Sequence, residues 1–252
     1  LIYSFCVGVS KPPQDEQRLD YRQAFGPHWA AILGPQFVDN LAALARFDPN
    51  GHDLTAFDFP RPGTAEASLT AVRSWKRVWD EDCLERVPLV TVATRWLLEN
   101  APTTEEISLV HGDYRGGNFL FDLESGQITA VLDWELARFG DRHEDLAFVF
   151  MRQLCEQAED GEQMIGGLLR RPEFISRYEA ASGLPVDLDR LRYYEIYHYW
   201  RSVIMALGSA PRCIHEQSTQ QDISLTYSML VGTISFDDLC GLLQGRLNDA
   251  AA

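Results

Sequence analysis

Positive charge is scarce in this chain of 252 residues: 22 Lys and Arg stand against 37 Asp and Glu, a formal net charge of −15. A surface this acidic repels phosphate backbones, which argues against nucleic acid as a partner. Paired cysteines are lacking too. Cys6, Cys83, Cys155, Cys213 and Cys240 are odd in number, widely spaced and free of any C-x-x-C pair. That pattern predicts reduced thiols in a cytosolic (cytoplasmic) protein. Apolar runs such as SVIMALGSA at 202–210 are far shorter than the ~20 residues of a membrane span. No membrane partner is predicted. Signal peptide, internal repeat, low-complexity tract and heptad pattern are likewise not visible. His28, His52, His143 and His215 have no ligand-like spacing, which argues against zinc. No Ser or Cys sits in a nucleophile-elbow pattern. The chain opens without Met on LIYSFCVGV, which reads as the middle of a domain.

What is present suffices for a sizeable core, with 46% hydrophobic and 11% aromatic residues. LIYSF reads as a short buried strand ended by Gly8 and Pro12-Pro13. Helical periodicity follows to about residue 100. Phe37, Leu41, Leu44 and Ala45 share one stripe, and Val72, Trp75 and Trp79 another. PLVTVATRWLLENAP is a third helix, stopped by Pro102, and 48–63 is a Pro/Gly/Asp loop between the first two. Residues 107–133 turn to β character, and beyond 142 the chain reads as helical to its end. Asp141 and Glu144 have capping-box spacing. In YYEIYHYW, Tyr194, Tyr197 and Trp200, with Ile204 beyond, fall at core spacing, with His198 in or beside that core. An aromatic wall for an amine is the other reading of that run. The outline is α+β and mostly helical, with a small central β-hairpin.

The polar stretch LVHGDYRGGNFLF at 109–121 lies between apolar flanks. With Ser125-Gly126 as a two-residue turn, opposed residues sum to 251. Glu124 then faces Gln127, Phe121 faces Ala130, and Asn118 faces Asp133, with Cβ atoms roughly 4.5–5.5 Å apart. A longer loop would shift the register by one and keep the proximity. Two hard oxygen donors so placed suit Mg²⁺, which completes its shell with phosphate and water. Asp113, five residues before Asn118, can take the proton of an attacking hydroxyl, and Arg115 can neutralise charge on a transferring group. Arg115 equally suits a structural carboxylate. Gly112, Gly116 and Gly117 allow a tight turn. Glu135 serves either to cap the next element or to enter a metal shell. A His-Gly-Asp-x-x-x-x-Asn pattern alone also occurs in ordinary polar turns; joined to Asp133 at hairpin spacing, it reads as catalytic.

HGDYRGGN followed by LDWE resembles the catalytic and metal loops of the aminoglycoside phosphotransferase and choline kinase family, small-molecule kinases of protein-kinase-like fold. Gly112 stands where protein kinases have Arg, and Trp134-Glu135 where they have Phe-Gly. The resemblance implies Asp113 as catalytic base, Asn118 and Asp133 as Mg²⁺ ligands, and His111 as a brace for the loop. LIYSFCVG is similar to the hinge strand, whose backbone at about Ser4 to Cys6 would meet adenine. LAALARFD resembles a helix in which the family carries His where this chain has Ala45. In FGDRHEDLAF, Asp145 opens a buried helix and reads as structural. The long form HGDYRxGNxLxD…VLDWELAxxGD most resembles phosphotransferase-like proteins related to the kinase domains fused to acyl-CoA dehydrogenases.

The implied fold is the C-terminal (large) lobe of a protein-kinase-like fold, residues 1–8 being a hinge remnant and 9–252 the helical lobe. Lys11, in VSKPP, does not match the family's ATP-binding Lys, so the N-terminal lobe reads as absent. The implied activity is transfer of the γ-phosphate of ATP, with Mg²⁺, to a small-molecule alcohol, either a hydroxyacyl-type metabolite or an aminoglycoside. A non-catalytic ligand-binding or regulatory module is the competing reading. By this resemblance the 252 residues alone give no phosphotransfer from labelled ATP, and turnover by them would overturn that expectation.

Overall fold

The computed structural model describes residues 5–13, 25–82, 86–158, 160–209 and 232–245. In chain order the first elements are helices α1 (Gly26–Ala45), α2 (Glu66–Asp82) and α3 (Pro88–Glu99), then strands β1 (Ser108–Val110), β2 (Phe119–Phe121), β3 (Ile128–Val131) and β4 (Arg138–Gly140). Helix α4 (His143–Val149) precedes strands β5 (Glu156–Gln157), β6 (Gln163–Ile165) and β7 (Leu169–Arg170), followed by helices α5 (Arg171–Ser182) and α6 (Leu188–Ile204). A helix over 232–245, α7, ends the described chain. Two compact units result, Leu1–Pro60 with Glu106–Leu191 and Arg61–Glu105 with Arg192–Ala252.

The first unit is built around α1. Pro27 sits in its first turn, where a missing N–H costs nothing. Its buried face holds Leu33, Gly34, Phe37, Val38, Leu41 and Ala42, whereas Leu44 and Ala45 are only half-buried. Aromatic rings fasten the β elements to it. Phe25 stacks on Phe119 with centroids 5.7 Å apart, and Trp29 meets Phe121 at 4.9 Å. Phe37 stacks on Tyr114 at 4.6 Å, while the Tyr114 hydroxyl donates to the Phe37 carbonyl at 2.7 Å. Helix α5 packs on α1, and just before it Leu169 of β7 comes close to Gly34, where a Cβ would stand 2.9 Å from Leu169 Cγ. Arg177 of α5 closes the pair on Asp39 at 2.6 Å.

The second unit packs α2, α3 and α6, with Leu239 and Leu243 of α7 buried. Tyr194, Tyr197, Trp200 and Ile204 are all buried, so the aromatic run of α6 is core, and His198 is buried with it. Three polar tips find partners nearby: Trp200 Nε1 donates to Thr94 Oγ1 at 2.9 Å, Tyr193 Oη to the Leu97 carbonyl at 3.0 Å, and Ser68 Oγ lies 2.9 Å from Tyr194 Oη. On α2, Val72 is buried while Trp75 and Trp79 are half-buried.

Strands β1 and β4 pair antiparallel, as do β2 and β3, and β5, β6 and β7 form a third antiparallel sheet. That third sheet corrects the expectation of helix throughout beyond 142. Its strands are two or three residues long, too short for alternation to register in the sequence. LIYSF is corrected as well. Residues 1–4 lie outside the described residues, and Phe5 is 92% exposed. The bridge to β2 forms instead at Val9, which exchanges both backbone hydrogen bonds with Phe121 at 3.0 Å. Residues 218–231, expected to be helical in part, lie outside the described residues.

A buried polar cluster follows β4. Asp141 Oδ1 accepts from the His143 backbone N–H at 3.0 Å and lies 2.7 Å from His143 Nδ1, and Asp141 Oδ2 accepts from Arg190 Nη1 at 3.1 Å. The Asp187 backbone N–H donates to His143 Nε2 at 3.0 Å. Glu144, the other half of the expected capping box, is ion-paired with Arg138. Burial acts to raise the Asp141 carboxyl, but the hydrogen bonds at His143 and the field of Arg190 outweigh it and hold the group below the ordinary 3.8. A depressed carboxylate contributes stability above its unfolded value and loses it as pH falls through the folded one. Asp141→Asn should therefore lower stability by about 3 kcal/mol near pH 7. In thermal melts the gap to the parent protein should narrow below the usual carboxylate range.

Candidate active site

Strand β1 delivers His111, and the chain then turns sharply at Gly112, whose φ is 83°. A side chain is excluded here on two counts. The conformation is left-handed, and a Cβ would stand 2.8 Å from the Leu136 carbonyl oxygen. The amides of His111 and Gly112 point toward α4, where Asp145 accepts both, at 2.7 Å through Oδ2 and 2.8 Å through Oδ1. Asp145 is buried, as is all of α4.

His111 carries the bracing onward. Its Nδ1 accepts the Asp113 backbone N–H at 3.2 Å, so Nε2 bears the proton and donates to the Leu132 carbonyl at 2.8 Å. Burial lowers the His111 pKa, opposed by the bond to Leu132 and by the nearby charges of Asp113 and Asp133. A neutral ring is the one that can accept from Asp113 and donate to Leu132 at once. Trp134 lies over it, ring centroids 4.6 Å apart, with the indole N–H on the Val131 carbonyl at 2.8 Å.

The predicted catalytic residues meet around this brace. The amide nitrogen of buried Asn118 donates to Asp113 twice, to Oδ2 at 2.6 Å and to the backbone carbonyl at 2.9 Å. Arg115 Nε lies 3.4 Å from Asp113 Oδ1. Asp113 keeps a quarter of its side chain exposed, enough for a solute to reach it. Asp133 is exposed and left-handed, φ 61° and ψ 57°, the one non-glycine with positive φ among the described residues. Such backbone costs about 1–3 kcal/mol and persists only where its surroundings enforce it. Both neighbours of Asp133 are held: the Leu132 N–H donates to the Asn118 carbonyl at 2.8 Å, and Trp134 is pinned to Val131.

The hairpin register differs from the expected one. Leu120, not Phe121, faces Ala130, and Phe121 faces Ile128 across a bulge. Asn118 therefore stands opposite Leu132, with Asp133 one residue further on. The cause is the turn. Asp122 Oδ1 takes the Ser125 amide and hydroxyl, each at 2.7 Å, and the Gly126 amide bonds to the Asp122 carbonyl at 2.9 Å. Asp122, rather than Glu124, then closes on Gln127, at 2.9 Å, and the loop holds four residues instead of two.

The donors fit a small hard cation. Asn118 has its amide nitrogen committed to Asp113, which leaves the oxygen end to meet an ion, and Asp133 presents a carboxylate to solvent. Of the other expected positions, Ser4 lies outside the described residues and Cys6 is exposed. Glu135 is exposed in the turn Trp134–Leu136. Asp145, read from sequence as merely structural, anchors the loop. The signal that marks it is a carboxylate directly before the apolar run Leu146–Val149, which must find partners when buried.

A profile of the phosphotransferase enzyme family matches residues 27–194, a span that includes all of this site except Cys6 and Ser4. The chain belongs to the phosphotransferase enzyme family. Among relatives of this family member, rat acyl-CoA dehydrogenase family member 11 is 27% identical over 208 residues, covering 79% of this chain and 26% of the relative. Hygromycin-B 4-O-kinase of Escherichia coli is 31% identical over 140 residues, 52% of this chain and 31% of that protein. The chain thus spans about a quarter to a third of these relatives. A candidate aminoglycoside phosphotransferase of Ralstonia eutropha superposes with a TM-score of 0.71 at 18% identity, covering 94% of this chain and 71% of that one. Choline kinase of Cryptosporidium parvum does so at 0.54 and 11%, covering 88% and 67%. The α+β, mostly helical architecture is that of kinase-like phosphotransferases.

Asp145→Asn turns an amide N–H₂ toward two backbone donors. Hydrogen exchange at His111 and Gly112 should accelerate about tenfold or more, since one lost buried hydrogen bond is worth roughly 1–3 kcal/mol.

Proposed function

We propose that this phosphotransferase moves the γ-phosphoryl group of ATP to the hydroxyl of a small molecule. The observation that carries the reading is the 2.6 Å bond from Asn118 to Asp113, which sets a reachable carboxylate beside an amide oxygen free to meet a cation. In the proposed step the acceptor hydroxyl gives its proton to Asp113. The hydroxyl oxygen forms a bond to the γ-phosphorus as the bond to the β–γ bridging oxygen breaks, and ADP leaves with that electron pair. Arg115, beside Asp113, offsets charge gathering on the transferred group. Asn118 and Asp133 would hold Mg²⁺, which neutralises charge on the phosphates when bound. The backbone from Ser4 to Cys6 is assigned to adenine.

Two of these relatives suggest acceptor classes. An acyl-CoA dehydrogenase family protein favours a hydroxyacyl-type metabolite, and a hygromycin-B kinase favours an aminoglycoside. A net charge of −15 suits a polycation only weakly, since most such charge is solvated surface. The hydroxyacyl-type acceptor is preferred. Free Cys6, Cys155 and Cys240 agree with a cytoplasmic setting.

The test is labelled ATP against a panel of hydroxyacyl thioesters and aminoglycosides, run on the complete gene product. Asp113→Asn should lower kcat by about 10²–10⁴-fold. Nucleotide affinity should stay within about twofold, because the residue meets the acceptor proton rather than the nucleotide base. Turnover retained by the variant removes Asp113 from the role of base.

A further inference from the structure

The two proposed metal ligands sit at the ends of a very short ribbon. Asn118 leads into β2 and Asp133 follows β3, and only three residue pairs join the strands: Phe119 with Val131, Leu120 with Ala130 and Phe121 with Ile128. A two-stranded ribbon of this size is marginal by itself. It also carries a bulge, Thr129 being the extra residue between the last two pairs. A slip of one residue would move every side chain of a strand to the other face. Something outside the ribbon must therefore hold its register.

Gln36 of α1 is placed to do so. Its Oε1 accepts the Ile128 amide at 3.0 Å, at the rung where the bulge interrupts the ladder. Its Nε2 donates to the Gly126 carbonyl at 2.8 Å and to the Ile32 carbonyl at 2.9 Å. Two of the three bonds thus join the helix to the turn and first residue of β3, and the third ties the amide to α1 itself. Gly126 is buried beneath the same helix, and a Cβ on it would stand 2.7 Å from Ile32 Cγ2, so only glycine lets the turn approach α1 this closely. From Ile128 the ladder runs to Leu132, whose N–H meets the Asn118 carbonyl at 2.8 Å.

We infer that Gln36 is a positioning residue for phosphotransfer: it holds the β2–β3 register that the Asp122 turn sets, and so keeps Asn118 and Asp133 placed for a shared divalent cation. The inference rests on the metal assignment made above. Gln36 touches neither ligand and acts through the ribbon alone.

The experiment compares the complete gene product with Gln36→Met, Gln36→Glu and Asn118→Ala. Mn²⁺ is titrated by electron paramagnetic resonance in the presence of ATP, and amide exchange is followed at Ile128 and Leu132. Gln36→Met keeps the reach and loses all three bonds. It should weaken Mn²⁺ about tenfold, the scale of a lost outer-shell partner. Its KM for the metal should rise, its KM for the acceptor should hold, and exchange should quicken at both amides. Gln36→Glu retains the acceptor for the Ile128 amide but turns a carboxylate oxygen on the Gly126 and Ile32 carbonyls, so its metal affinity should fall between Gln36→Met and the parent protein. A Gln36→Met protein that melts earlier yet binds Mn²⁺ as tightly, with Leu132 exchange unchanged, overturns the inference and leaves Gln36 a purely structural residue. Asn118→Ala separates the two assignments. Mn²⁺ affinity unaffected by that change sinks the metal assignment and with it the role of Gln36 in catalysis, whereas affinity lost in Asn118→Ala and kept in Gln36→Met sinks the Gln36 inference alone.

Discussion

Asp145 reaches from α4 to the amides of His111 and Gly112 with one carboxylate oxygen for each, and the geometry of the loop hangs on that pair of bonds. Both amides lie beyond the end of β1 and are buried, where an unmet donor costs roughly 1–3 kcal/mol. A charged acceptor meets two at once more strongly than neutral groups would. With those amides held, His111 has one orientation, Leu132 and Asp113 share its ring, and Asn118 closes on Asp113. Each contact places the next. The carboxylate of Asp113 is reached only at the end of the series, on the part of the loop that solvent touches.

The scaffold beneath is apolar and aromatic. Phe25, Trp29 and Phe37 of the α1 region meet Phe119, Phe121 and Tyr114 from the loop and hairpin, so the same segment that carries the polar site also supplies rings to the core. Alternation explains this economy. In β2 the side chains of Phe119 and Phe121 go inward while Leu120 is half-exposed, and Asn118, just outside the strand, turns to the loop. Rigid packing on one side lets hydrogen bonds on the other be short and directed. Strain at Asp133 is tolerated for the same reason, its neighbours on each side being pinned.

Much of this was readable before any coordinates. The stripe of α1 was visible at Phe37 and Leu41, the buried face of α6 at Tyr194, Tyr197, Trp200 and Ile204, and the proximity of Asp113 to Asn118 from five residues of spacing. The misread parts share a cause. Strands β5, β6 and β7 are too short to show a period, and Phe5 is apolar yet exposed because the pairing begins at Val9. The long-range partners of Asp145 and Gln36 were not legible, since they lie 33 and 34 residues away in one case and 90 and 92 in the other.

Residue identity and short spacing, then, decided which atoms this protein has for chemistry and that Asp113, Arg115 and Asn118 occupy one loop. The relation of Asn118 to Asp133 was decided in three dimensions. Pairing across a hairpin is set by its turn, and here the side chain of Asp122 captures Ser125 and lengthens the turn, which together with the bulge at Thr129 moves the register by one. The left-handed backbone at Asp133 and the neutral tautomer of His111 were settled the same way. Each depends on hydrogen-bond partners that only the folded chain brings within reach.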